Sequence, residues 1–218
     1  MPMRSERSSN PKTSKKLAIA SRTSLSKEIN EYLPMSKIVA VLGMPGSGKS
    51  EAIEYLMTKY RWPKIYFAQP TFDEMERRGL ERNQANERLV REDLRNLHGE
   101  DFYAREAVKK VEALPEAEVI LLESFYSAPE YRVFRDRFKD DFLMIAIHAR
   151  PSVRHNRLLV RPERPLSLQE SEERDWAQLN RLTQGTPIAL ADFMIINEGD
   201  LSELQTKLDA TVAQIIKG

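Results

Sequence analysis

The sequence predicts an α/β fold built on a parallel sheet. Short apolar runs alternate with amphipathic stretches from Lys37 to Ile216. Several of those runs are nearly continuous, as strands covered on both faces must be. The first run also leads directly into a glycine-rich turn and then a helix, the strand–loop–helix order from which right-handed crossovers are made.

In chain order, Lys37–Leu42 is a short apolar run of strand type, and Glu51–Met57 beyond the glycine-rich turn reads as a helix. Lys64–Ala68 is the second strand candidate. From Gln69 to Pro115 the chain is mostly helical, with apolar residues three and four apart over Asn86–Leu97 and Asp101–Leu114. That is long for one crossover, so a helical insertion beside the sheet is expected over residues 65–115. Val119–Glu123, Phe142–His148 and Phe193–Ile196 are the remaining strands. Ser152–Val160, Gln169–Leu182 and Leu201–Ile216 carry helical spacing. From Arg161 to Arg174 the chain reads Arg-Pro-Glu-Arg-Pro and then turns polar and acidic, the composition of a mobile, charged flap.

Residues 1–34 lack any hydrophobic period, and the domain is expected to span residues 35–218. Through Lys27 the tail holds seven basic residues against Glu6 alone. The tail is read as disordered, or as the product of an early start codon with Met35 the true beginning; its basic, serine-rich composition is also that of a transit peptide. The formal net charge of the 218 residues is +1, and the stretch through Lys27 accounts for +6, so the rest is acidic. An acidic body with a basic tail argues against a dedicated nucleic-acid binder. The chain has no cysteine, which excludes disulfides, thiolate catalysis and Cys-based zinc sites. No apolar run approaches the ~18 residues of a membrane span, and a cytoplasmic location is expected. At 41% hydrophobic residues one domain with a real core is affordable.

The turn Gly43-Met44-Pro45-Gly46-Ser47-Gly48-Lys49-Ser50 fits G-x-x-x-x-G-K-[ST], the phosphate-binding loop. Its glycines let successive backbone N–H groups curl around a polyphosphate, and the helix starting there adds its positive dipole end. Lys49 would reach the β- and γ-phosphates, and the Ser50 hydroxyl would ligate Mg²⁺. Gly43, Met44, Pro45, Gly46, Ser47, Gly48, Lys49, Ser50 and Glu51 are the candidate nucleotide-binding set, with ATP and Mg²⁺ as cofactors. His98, His148 and His155 show no metal-ligand spacing, and Trp62 and Trp176 are read as packing residues.

Four blocks together resemble the nucleoside-monophosphate kinase group of P-loop proteins. They are the phosphate loop, the strand Val119-Ile120-Leu121-Leu122-Glu123-Ser124, the helix Arg154-His155-Asn156-Arg157-Leu158-Leu159-Val160-Arg161, and the strand and polar loop from Asp192 to Leu201. The wording, including Ala146-Ile147-His148-Ala149 and Ile188-Ala189-Leu190-Ala191-Asp192, is similar to that of an uncharacterised archaeal P-loop kinase family, itself similar to adenylate kinase and dephospho-CoA kinase. The resemblance implies a three-layer P-loop NTPase fold with a five-stranded parallel sheet. It also implies that the 65–115 insertion binds the acceptor and that residues 158–176 form a short arginine lid. Glu123 would hold Mg²⁺ through water or orient the attacking group, since hard Mg²⁺ takes oxygen ligands. Arg154, Arg157, Arg161 and Arg164 are lid candidates. Arg157 and Arg161 rank first because residues four apart share a helix face, with Arg174 and Arg181 behind them. Asn197 and Gly199 lie in the loop that touches adenine in the resembling kinases.

The acceptor half departs from those kinases. Their Gly-Asp-x-x-Arg after the second strand is matched here by Ala68-Gln69-Pro70-Thr71-Phe72. Their Asp-Gly-x-x-Arg after the third is matched by Glu123-Ser124-Phe125-Tyr126-Ser127. Arg91 and Arg95, one helical turn apart, are the candidate acceptor contacts, with Phe102 or Tyr103 available to stack on a base. Two readings stay open. One is a P-loop kinase moving the γ-phosphate to a small nucleotide-like acceptor. The other is a simple ATPase of the AAA type, hydrolysing ATP as a regulatory switch with no small acceptor. The expected assembly is a monomer or homodimer.

Overall fold

A computed structural model of the chain describes residues 36–217; the basic tail expected over 1–34 lies outside them. Strands β1 (Lys37–Leu42), β2 (Lys64–Tyr66), β3 (Val119–Glu123), β4 (Phe142–His148) and β5 (Phe193–Ile196) form one sheet in the order β2-β3-β1-β4-β5. Every neighbouring pair is parallel, so the anticipated five-stranded parallel sheet is present. The helices are α1 (Lys49–Tyr60), α2 (Gln69–Arg77), α3 (Gln84–His98), α4 (Phe102–Ala113), α5 (Ala128–Phe138), α6 (Pro151–Val160), α7 (Leu168–Asn180), α8 (Gly185–Ala189) and α9 (Leu201–Lys217).

Successive strand side chains point to opposite faces, and both faces here are covered. Val39, Val41, Leu121, Ile145 and Ile195 pack against Ile53 and Leu56 of α1 and Leu208 and Val212 of α9. Ile38, Ala40, Leu42, Leu122 and Met144 pack against Met75, Val90, Leu94, Ala107 and Phe134 from α2 to α5. This is why the strands read as unbroken apolar runs rather than alternating ones. The central strand β1 lies between β3 and β4, so the turn at its carboxyl end faces the crevice where open α/β sheets bind ligands.

Three local expectations are corrected. Strand β2 stops at Tyr66, because Gln69-Pro70 opens α2 with proline in its first turn, where the missing N–H does no harm. Helix α5 has no counterpart in the periodicity, since charged residues crowd its sequence. Its start is instead marked by a capping box, Ser127 and Glu130 exchanging hydrogen bonds with each other's backbone. A second capping box, Ser167 with Glu170, starts α7 at Leu168. The expected flap over 161–174 is therefore non-helical only from 161 to 167.

Between β3 and α5 the chain turns through Ser124, whose φ of 66° is left-handed. The turn drops Phe125 into a cluster with Phe67, Phe134 and Phe142, at ring distances of 5.4, 5.9 and 5.6 Å. Trp62 is buried as expected, but Trp176 is 64% exposed. No described helix is long and apolar enough to cross a membrane.

Phe125 is fully buried, so Phe125→Ala is expected to cost about 3–5 kcal/mol of stability through lost burial and the cavity left behind. Urea denaturation followed by circular dichroism measures it. A cost below about 1 kcal/mol would mean that the aromatic cluster does not anchor the end of β3.

Candidate active site

The turn after β1 is held from outside by its carbonyls. Gln184 Nε2 donates to Gly43 O at 2.9 Å, and Lys49 Nζ to Met44 O at 3.0 Å. Arg154 Nη1 donates to Pro45 O at 3.1 Å, and Asn197 Nδ2 to Ser47 O at 2.8 Å. A peptide unit carries its N–H opposite its C=O, so tying the Gly43, Pro45 and Ser47 carbonyls points the amides of Met44, Gly46 and Gly48 away from those ties; the Met44–Pro45 unit has no N–H. Helix α1 begins directly there, with Gly48 as N-cap and no side-chain cap. The first helical amides therefore have no intrahelical partner. Two glycines are dictated by close approach. A Cβ on Gly43 (φ 145°) would lie 2.2 Å from Ile147 O, and one on Gly46 (φ 75°) would lie 2.5 Å from Arg154 O.

Lys49 stands in this loop under unfavourable electrostatics. Burial, then the charges of Arg174 and Arg154, lower it to about 8. A lysine so penalised gains when an anion arrives to pair with it. Ser47 Oγ is also buried with no hydrogen-bond partner. Amides without an intrahelical partner, a destabilised ammonium and an orphaned hydroxyl are the groups a polyphosphate would satisfy.

Arg154 is not free to act as part of a lid. Its side chain is 6% exposed. Besides Pro45 O, it donates to Ala149 O and makes a two-pronged contact with Asp175, Nη1–Oδ1 at 2.8 Å and Nη2–Oδ2 at 2.7 Å. His155 Nε2 donates to Asp175 Oδ2 at 2.9 Å. Burial by itself would raise Asp175; the hydrogen bonds from Arg154 and His155 outweigh it and hold the carboxyl below its usual range. This cluster bolts α7 to α6 and to the phosphate loop. It also fixes the place of the preceding residue of α7, Arg174, whose charge acts on Lys49 more strongly than that of Arg154.

Two clefts share Arg161, and one of them is lined by the loop. The smaller, about 400 Å³, is lined by Gly46, Gly48, Lys49, Ser50, Glu51, Arg157, Arg161, Asn197, Gly199 and the start of α9. Most residues expected to hold the nucleotide thus face one space. Arg157 donates to Asn197 O at 3.0 Å and to Gly199 O at 3.4 Å, so it shapes the loop after β5. Arg161 Nε donates to Arg164 O at 2.7 Å. The larger cleft, about 890 Å³, lies between α3 and the α6–α7 segment and includes Arg91, Arg95, Arg161, Arg174 and Arg181. Arg161 borders both.

Glu123 sits at the carboxyl end of β3 and lines neither cleft; its Oε2 pairs with Lys64 Nζ at 2.6 Å. The two aromatics considered for base stacking are placed elsewhere. Tyr103 is 4% exposed, with its hydroxyl 2.7 Å from that of Thr71, and Phe102 stacks on His98. Gln184 and Asp175 were not singled out from the sequence. Neither sits in a motif, and their importance comes from partners far away in the chain.

Residues 39–178 match the AAA_18 family, described as an AAA domain. The UPF0200 protein of Thermococcus gammatolerans is 36% identical over 185 residues, covering 83% of this chain and 96% of its own. Among solved structures, a shikimate kinase from Bacteroides thetaiotaomicron superposes with a TM-score of 0.52 at 14% identity, covering 82% of this chain and 97% of its own. A gluconokinase from Sinorhizobium meliloti superposes with a TM-score of 0.54 at 17% identity, covering 84% and 94%. At these identities the two kinases establish the likeness of fold.

Breaking a buried ion pair from one side leaves the other charge uncompensated, so Asp175→Asn is expected to lower stability at pH 7 by about 3 kcal/mol. The native carboxylate is favoured in the folded state, so its contribution is full above the usual carboxylate range. It is lost as pH falls through the lowered folded value. The gap between the wild-type and variant melting curves should therefore be widest near neutrality and close below about pH 4. A gap unchanged across that range would show that the charge of Asp175 is not what binds α7 to the loop.

Proposed function

The chain belongs to the UPF0200 family, and from the site just described we propose that it is an ATP-dependent, Mg²⁺-assisted phosphotransferase moving the γ-phosphate to a small nucleotide-like acceptor. The observation that carries this reading is the loop with its carbonyls tied by side chains and Lys49 lowered to about 8 within it. Phosphoryl transfer needs positioning and positive charge more than covalent chemistry from the protein. Lys49 takes the β- and γ-phosphates, and the amides at the start of α1 take the phosphate oxygens. Arg161 and Arg174 stabilise charge on the transferring group, while Arg157 and Asn197 shape the nucleotide side. Ser50 and, through water, Glu123 would hold Mg²⁺, which would supply further positive charge at the phosphate oxygens. Glu123 Oε2 is engaged by Lys64, and Oε1 remains for that contact. ATP as donor suits the cytoplasmic setting expected from the composition.

Release of ADP coupled to phosphorus NMR of the acceptor tests this reading across a panel of small phosphate acceptors. Turnover should rise when an acceptor is added. Lys49→Ala should lose it by roughly 10²-fold or more, with the melting temperature nearly unchanged, and Arg174→Ala should lower kcat by about 10²–10³. Full turnover in Lys49→Ala would falsify the assigned role of the loop. ADP release that no acceptor stimulates would favour the hydrolytic switch instead.

A further inference from the structure

The cleft of about 890 Å³ between α3 and α7 is dominated by arginine. Seven arginines face five glutamates there, and all five glutamates already have contacts within the protein. Glu92 pairs with Arg88 at 2.9 Å, and Glu87 with Arg164 at 3.6 Å. Glu170 caps α7 through Ser167, and Glu173 accepts from Gln169. Arg91, Arg174 and Arg181 line the same walls with no ion-pair or hydrogen-bond partner among the described residues. Arg95 differs from them: its side chain is 13% exposed, with Nη2 3.6 Å from Glu130 Oε1 and Nε 3.9 Å from Glu100 Oε2. The walls therefore carry an excess of two positive charges, with three arginines that have no partner among the described residues.

The same walls hold three amide side chains, Gln84, Asn96 and Gln178, but no surface on which a nucleobase would stack. Leu166, Ala177 and Leu182 are the apolar lining residues, and no aromatic side chain is among them. Of the neighbouring aromatics, Phe102 and Tyr103 are packed inward, and Trp176, between Arg174 and Ala177 on α7, is exposed but is not among the lining residues. Base recognition draws on an aromatic face or an apolar slot. Recognition by several arginines draws on phosphate oxygens, which accept their paired N–H groups. Arg161, common to both clefts, puts one edge of this cleft against the donor side.

On these grounds, and resting on the phosphotransferase reading above, we infer that the acceptor is a phosphorylated sugar or a comparably compact, base-free organophosphate. Arg91 and Arg181 hold its existing phosphate, and Arg174 stays with the transferring group. One of its hydroxyls attacks the γ-phosphorus of ATP. The new P–O bond forms as the bond to the β–γ bridging oxygen breaks. ADP leaves with that electron pair, and the hydroxyl proton passes to water.

Calorimetry on the full chain, loaded with Mg²⁺ and a non-hydrolysable ATP analogue, separates the possibilities. The probes are ribose 5-phosphate, AMP and adenosine, which share parts of one molecule. Ribose 5-phosphate should bind at one site, AMP should bind less than about tenfold tighter, and adenosine should give no heat. Arg91→Ala and Arg181→Ala should each weaken ribose 5-phosphate by about tenfold or more, with the affinity for the analogue unchanged. Binding of adenosine, a preference for AMP of more than about tenfold, or no heat from ribose 5-phosphate would overturn the inference. No heat from the analogue itself would instead remove the phosphotransferase reading beneath it.

Discussion

A peptide unit cannot present both its carbonyl and its amide to the same side, and the site is built on that constraint. The carbonyls of Gly43, Met44, Pro45 and Ser47 each accept from a side chain, although the Met44–Pro45 unit has no N–H to orient. Three of those side chains come from beyond the loop: Arg154 from α6, Gln184 from the turn before α8, and Asn197 from the end of β5. The loop's shape is thus a property of the assembled carboxyl edge of the sheet, with glycine supplying only the permission for backbones to approach. Held this way before any ligand arrives, the amides need little reorganisation to meet an anion, which is the form of preorganisation that makes electrostatic stabilisation effective.

Helix α7 links the two halves of the site. Asp175 is its buried side, locked to Arg154 and His155 under the phosphate loop. Its neighbour Arg174 borders the large cleft and acts on Lys49, and Arg181 follows just past the helix end. A shift of α7 would therefore move acceptor contacts and loop geometry together. The ion pair between Arg164 and Glu87 joins the 161–167 connection to α3 across the same cleft. It is half exposed, so its worth is small.

The fold by itself says little about the acceptor. The fold is shared with kinases of very different sequence, and function is decided by the site grafted onto it. Here the walls of the proposed acceptor cleft come from α3, α7 and the connection before α7. Ser124, left-handed at φ 66° where the resembling kinases have glycine, marks the same departure at the end of β3. A strained residue is tolerated there because the Phe125 cluster beyond it over-determines the turn.

The five strands, the phosphate loop and most helices were legible in the sequence because each rests on local pattern: apolar runs, helical spacing, and glycines at fixed intervals. The starts of α5 and α7 were legible too, in Ser127-Ala-Pro-Glu130 and Ser167-Leu-Gln-Glu170. Apolar periodicity overlooked the first and let the flap run past the second, because capping is a hydrogen-bond signal rather than a hydrophobic one. Tertiary structure alone decided which arginine is buried and which is free. Arg154, Arg157 and Arg161 look alike on a helix, yet only Arg154 meets Asp175, twenty-one residues on. It also decided that Gln184 and Asn197 brace a loop some 140 to 150 residues earlier, and that Phe102 and Tyr103 belong to the core. A side chain's partner across a sheet depends on how distant elements pack, and no local pattern records that.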